Sequence, residues 1–173
     1  MGMNLVCLNL FFSLLFFGCK PINVSLPNEE QNRVIEAAIN IEKDSSFGII
    51  NTAKYGSYYL LNDRFHDSVF VDSDMIYLID KSISFQKIQG QYKKALNNSN
   101  KLVSDNFNLI HIVEYSNKTP VFLSFSKPIK YEKYYIVNFF YSSWSSGYKS
   151  TLLLKESNSG QLKLVYRRVY NLV

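Results

Sequence analysis

A chain of 173 residues falls in the size range of a single domain. Its apolar fraction of 47% is enough for a packed core, and charged residues reach only 19%. The formal charge of +5 comes from Lys and Arg scattered singly, apart from Lys93-Lys94 and Arg167-Arg168, so no basic run is present to track a phosphate backbone and no nucleic-acid partner is expected.

From Leu5 to Phe17 the chain is apolar, broken only by Asn9 and Ser13. That is short of the roughly 20 residues a bilayer-spanning helix needs, and it suits the central region of a secretory signal. The run ends in Phe16-Phe17-Gly18-Cys19, which resembles the recognition sequence of bacterial lipoprotein signal peptidase. Gly18 is small enough to let a protease approach the backbone, and the thiol of Cys19 is the site for diacylglycerol. Cleavage is expected between Gly18 and Cys19, followed by acylation of the new amine; two or three acyl chains anchor stably where one is marginal. Met1 to Asn4 carries no Lys or Arg, a departure from the usual signal pattern. The expected layout is a signal peptide over residues 1–18, a lipidated tether over 19–27 and one domain over 28–173. Cys7 and Cys19 are the only cysteines. The mature domain is therefore expected to have no thiol for catalysis, zinc binding or disulfide formation.

"NEEQNRVIEAAINIEK", Asn28 to Lys43, predicts a helix. Asn28 and Gln31 have capping-box spacing, and Glu29 and Glu30 suit the helix N-terminus. Val34, Ala37, Ala38 and Ile41 share a face, which Ile35 and Ile39 widen. Phe47-Gly48 is a natural stop. "SYYLLN" (57–62), "SVFVD" (68–72) and "MIYLID" (75–80) read as short strands, and "ISFQKIQGQYKKAL" is ambiguous because Gly90 interrupts it. "KLVSDNFNLIHIVEY" reads as a short helix running into a strand. The last fifty residues are plainer: "VFLSFS", "YYIVNFFYSS" and "STLLLKE" are strands, "SNSG" is a turn with Gly160 at positive φ, and "QLKLVYRRVYNL" closes the sheet. Leu162, Leu164 and Tyr166 alternate with Lys163, Val165 and Arg167, as in an antiparallel strand with one packed face. The expected class is α+β: an N-terminal amphipathic helix on a mainly antiparallel sheet, clearest in the C-terminal half.

"LSFSKPIKYEKYYIVNFF" and "STLLLKESNSGQLKLVYRR", with "LVSDNFN" upstream, resemble the strand pattern of a group of small lipoproteins from Bacteroidota. Leu162 stands where tryptophan is common in that group. The resemblance implies an envelope lipoprotein, carries no established activity and transfers no catalytic residue. In such bacteria an acidic run after the lipidated cysteine accompanies surface exposure, and Lys20-Pro21-Ile22-Asn23 has none. An outer-membrane anchor with the domain facing the periplasm is the resulting expectation.

Residues that could carry chemistry are few. "NDRFHDSVFVDSD" gathers Asp63, His66, Asp67, Asp72 and Asp74. An oxygen-rich cluster with a histidine invites comparison with Ca²⁺ or Zn²⁺ sites, but the spacing matches no calcium loop, and a solvated loop is the plainer reading. No metal and no cofactor is expected. His111 and Glu114 meet only on a helix, and the β-branched residues around them favour a strand. There is no GxSxG elbow and no glycine-rich phosphate loop. "YSSWSSGYK" holds the only tryptophan, Trp144, between Tyr141 and Tyr148, a set suited to stacking on a sugar or meeting a protein. Together these features describe a non-enzymatic binding or accessory lipoprotein, partnered by the membrane through its lipid and by a protein or glycan. The alternatives are a carbohydrate-binding or carbohydrate-processing component using Trp144 with Tyr141 and Tyr148, and a metal-dependent hydrolase around His66.

Overall fold

The computed structural model describes residues 21–44, 59–99, 101–102, 110–113, 121–143 and 147–172. Three helices are present among them: α1 (Asn28–Asp44), α2 (Ser73–Ile79) and α3 (Phe85–Asn98). Seven strands form one sheet: β1 (Tyr59–Asn62), β2 (Ile110–Val113), β3 (Val121–Phe125), β4 (Ile129–Tyr131), β5 (Tyr134–Ser143), β6 (Gly147–Glu156) and β7 (Leu162–Leu172). The order is β2-β1-β3-β5-β6-β7, with β4 also beside β5. The α+β class is as expected, and the C-terminal strands are antiparallel. At the other end β1 runs parallel to both β2 and β3. Parallel neighbours cannot be joined by a tight turn, and α2 and α3 lie in the connection from β1 to β2.

Strands β5 and β6 are buried on both faces. Tyr135, Val137, Phe139, Tyr141, Tyr148, Leu152 and Leu154 join Val34, Ile35, Ala38 and Ile39 of α1 in one core. Ile136 and Leu153 point the other way, into a second core with Met75 of α2 and Ile88, Tyr92 and Ala95 of α3. Alternation along a strand sends neighbours to opposite faces, so a strand covered on both sides reads as a nearly unbroken apolar run such as "YYIVNFFY".

Three expectations are corrected. "MIYLID" is helical, not extended: Asp72 caps α2 by accepting from the Asp74 backbone at 2.7 Å, and Met75 alone is fully buried. "SVFVD" is not a ladder strand. Asn138 on β5 instead holds its backbone, accepting from the Phe70 N–H at 2.6 Å and donating to the Phe70 carbonyl at 2.8 Å. Residues 21–27 do not hang as a tether. Ile22, Val24 and Leu26 are buried in alternation, and Asn23 pairs with Lys130 of β4 through two backbone hydrogen bonds of 2.8 and 2.7 Å. The ambiguous stretch becomes α3, capped by Ser84 and running straight through Gly90, whose missing side chain faces open space. The expected stop at Phe47-Gly48 lies outside the described residues. Gly160 does take positive φ, at 78°, in the β6–β7 turn.

β7 departs from simple alternation in an instructive way. Leu154 pairs with Leu164 but Leu153 pairs with Tyr166, so Val165 is the extra residue of a bulge. Beyond it the faces exchange. Arg167 now points to the α1 side and Arg168 to the α2 side. Arg167 meets Glu42 of α1 with Nη2 at 2.7 Å and Nε at 3.1 Å, and that carboxylate also accepts from Tyr148 and Ser150. Glu42 continues the buried stripe of α1 one turn past Ala38, so its charge requires these donors. Arg168 pairs with the capping carboxylate of Asp72. The two consecutive arginines thereby clip a helix to each face.

Two outcomes follow. Gly90→Ala should raise stability by about 0.5–1 kcal/mol, read from the urea midpoint, because it adds helix propensity without a clash. Glu42→Ala should lower it by about 3–5 kcal/mol by taking the buried carboxylate from Arg167, whereas replacing both with apolar side chains should recover most of that loss. A double variant no more stable than Glu42→Ala would show that the arginine's burial is not the source of the cost.

Candidate functional site

The N-terminal turn of α1 meets β4, β5 and the β6–β7 turn at a surface depression of about 330 Å³ lined by Pro27, Glu29, Glu30 and Arg33. Tyr135 lies behind it, rising from β5 between two carboxylates and two cations. Its hydroxyl donates to Glu30 Oε1 at 2.6 Å, lies 3.2 Å from Glu156 Oε2 and accepts from Arg33 Nη2 at 3.1 Å. Lys130 of β4 donates to the same Glu30 oxygen at 2.6 Å. Arg33 Nη1 reaches Glu156 Oε1 at 2.7 Å and the Gly160 carbonyl at 3.0 Å. Each side chain comes from a different element, apart from Glu30 and Arg33, which meet because they are three residues apart on α1.

The electrostatics follow from this arrangement. Burial pushes the Glu30 carboxyl up, but hydrogen bonds from Lys130 and Tyr135 outweigh it and leave Glu30 below the usual carboxylate range. The Arg33 hydrogen bond holds Glu156 down as well. Arg33 is raised, chiefly by its bond to Glu156, and Lys130 by its bond to Glu30. Burial, then the bond to Glu30, pushes the Tyr135 phenol up. Tyr135 therefore stays protonated at neutral pH and acts as a donor, not as a base or nucleophile. With both carboxylates ionised the cluster is charge-balanced, and its groups are occupied by one another. What it does chemically is fix the start of α1 against the sheet while leaving Arg33, 39% exposed, at the rim.

The residues singled out from the sequence are dispersed. His66 stacks on Phe140, ring centroids 3.8 Å apart and 6° from parallel. Its Nδ1 lies 3.2 Å from the Ser68 backbone N and 3.1 Å from the Ser68 hydroxyl. Burial lowers its pKa, against the opposing pull of Ser68 and Asp67, so the ring is neutral at pH 7. Asp72 is taken by its cap, Arg168 and Tyr170. Asp74 is exposed, 4.0 Å from Arg168, and Asp67 is exposed too. Asp63 lies 4.0 Å from Arg64, its backbone carbonyl accepting from Leu102. No three acidic, histidine or cysteine side chains among the described residues are placed to hold one metal ion. His111 falls on β2, as the strand reading of that stretch requires, and Glu114 is outside the described residues.

Tyr141 and Tyr148, expected beside a ligand, are 4% and 3% exposed. They sit 5.5 Å apart in the α1-side core, and the Tyr148 hydroxyl is spent on Glu42. The alternation of β5 and β6 turned them inward, so they offer no stacking surface. Trp144, Gly18 and Cys19 lie outside the described residues. The Tyr135 cluster was not read from the sequence: Glu30 and Tyr135 are separated by 105 positions, and no local spacing links them.

No family model, no curated protein and no solved structure matches the chain.

Depressed carboxyl pKa values contribute stability that is fully present above the unfolded value and is lost as pH falls from there through the lower folded value. The urea midpoint should accordingly drop as pH is lowered from neutrality past the ordinary carboxyl value of 4.5. Glu156→Gln should flatten that acid limb; a variant limb superimposable on the parent's would remove the cluster from the balance.

Proposed function

We propose that the chain is a lipid-anchored protein of the bacterial envelope, attached through Cys19 to the outer membrane and facing the periplasm, with a binding or accessory role rather than catalysis. The observation that carries this reading is the leader itself: an apolar run from Leu5 to Phe17 that stops at Gly18-Cys19. Support for the non-catalytic half comes from what the polar clusters do. Glu42 with Arg167, Asp72 with Arg168, and the Tyr135 network each join one element to another. Lys127, buried at the junction of β3 and β4, donates to the Ser99 carbonyl at the C-terminal end of α3, again a structural use. The partner beyond the lipid is a protein or a glycan. The glycan alternative now rests on Trp144 alone, since Tyr141 and Tyr148 are core residues. The hydrolase alternative has lost Asp72, which is committed to α2 and β7.

Intact-mass analysis of the protein purified from a bacterial host decides the central point. The expected product begins at Cys19 and carries diacylglycerol on its sulfur, and Cys19→Ala should keep the leader and carry no lipid. A parent chain with a bare sulfur, or with the leader still attached, would sink the proposal.

A further inference from the structure

Residues 21–27 are packed into the fold, so a lipid on Cys19 would be joined to it by almost no free chain. Only Lys20 separates Cys19 from Pro21, and two residue steps span at most about 7 Å. The point of entry is fixed. Asn23 is paired antiparallel with Lys130, which sets Ile22 opposite Tyr131, and both are buried in the α2–α3-side core. The Tyr131 hydroxyl donates to Asp80 Oδ2 at 2.6 Å, in the turn that joins α2 to α3. The chain thus enters the domain beside β4, whose Tyr131 reaches that turn.

Among the described residues, large apolar side chains face water in two places, at Leu164 and Val165 on β7 and at this corner. Tyr77 is 63% exposed, Leu78 47% and Phe85 42%; the first two close α2 and the third opens α3. Tyr77 has the Lys81 ammonium 4.1 Å from its ring centre, and Lys81 and Lys87 are both exposed. Tyrosine, phenylalanine and leucine flanked by lysine form the combination that settles at a bilayer interface, with rings at headgroup level and ammonium groups near anionic lipid.

We propose that the α2–α3 corner, through Tyr77, Leu78 and Phe85 with Lys81 and Lys87, rests on the surface of the lipid bilayer to which Cys19 anchors the chain. This rests on the lipoprotein reading given above. It adds to it an orientation: the domain does not swing on a stalk but lies with α2 and α3 toward the lipid. Association needs little intrinsic affinity, because a tether of this length holds the corner at high effective concentration against the surface.

The mature chain would have no thiol beyond the acylated Cys19, so a single introduced cysteine can be labelled selectively. The full-length protein carrying Leu78→Cys is purified acylated, modified with an environment-sensitive fluorophore and reconstituted in vesicles of phosphatidylethanolamine and phosphatidylglycerol. The control is Asn98→Cys at the far end of the 14-residue α3, roughly 20 Å away. The label at 78 should blue-shift and lose at least half its emission to spin-labelled lipid, and the label at 98 should do neither. Acylated protein whose label at 78 stays in water overturns the proposal and leaves the lipoprotein reading intact. A blue shift that lipid quenchers do not touch and that grows with protein density also overturns it, and assigns the corner to a second copy. A mass without acyl chains removes the lipoprotein reading first and this proposal with it.

Discussion

Burial of β5 and β6 on both faces is the constraint from which most of this structure follows. A sheet covered on one side can spend half its residues on solubility; this one cannot over its central hairpin. Helices are therefore needed on both sides, and something must keep them in register with the strands. Apolar contact alone is non-directional. The directional part comes from a few buried polar groups: Asn138 gripping the Phe70 backbone, Glu42 held by Arg167, Asp72 held by Arg168. The Glu42–Arg167 pair is buried and Arg168 is half-exposed, and ion pairs of either kind add little net stability compared with well-packed apolar groups. Their role here is to say where each helix goes, which an aliphatic pair would leave open. The Val165 bulge is part of the same solution. Without it, Arg167 and Arg168 would each face the wrong helix.

What could be seen in the sequence, and what could not, divides along the same line. α1 was legible because a helix covered on one side must show a 3.6-residue stripe. β5 and β6 were legible because a two-sided strand must show a continuous apolar run. α2 was misread because only seven residues long, it buries Met75 and exposes Tyr77 and Leu78, so "MIYLID" has no polar face to betray a helix. Its signal was Asp72 with Asp74 at the start, a cap ahead of a short helix. Ile22, Val24 and Leu26 also carried a period of two that a tether has no reason to show. Gly90 misled in the opposite direction, as a helix tolerates one glycine on an exposed face at modest cost. The parallel placement of β1 had no local sign at all, being settled by partners some fifty and sixty residues downstream.

The candidate site shows the same limit more sharply. Aromatic residues near Trp144 suggested a surface, yet strand alternation decided the fate of Tyr141 and Tyr148, and it sent them into the core. The Tyr135 cluster, by contrast, assembles a helix turn, three strands and a β-turn. None of its members is unusual in its own neighbourhood. Proximity among charges so far apart in sequence is a property of topology. The stretch Phe16-Phe17-Gly18-Cys19 lies at the other extreme, since a signal of the kind proposed for it is read on an extended chain and its meaning is local. Signals confined to one stretch are therefore readable in the sequence, and surface chemistry assembled by topology is not.

β7 supplies both arginines that lock the helices, and it is the last strand of the sheet to be made. During synthesis α1, α2 and α3 all emerge before either lock can close. Until residues 162–172 follow, Glu42 of α1 has its β6 donors but not the guanidinium of Arg167, and Asp72 of α2 lacks that of Arg168. A chain cut short before β7 would therefore pack its helices without either ion pair, so the strand made last decides how firmly both are held.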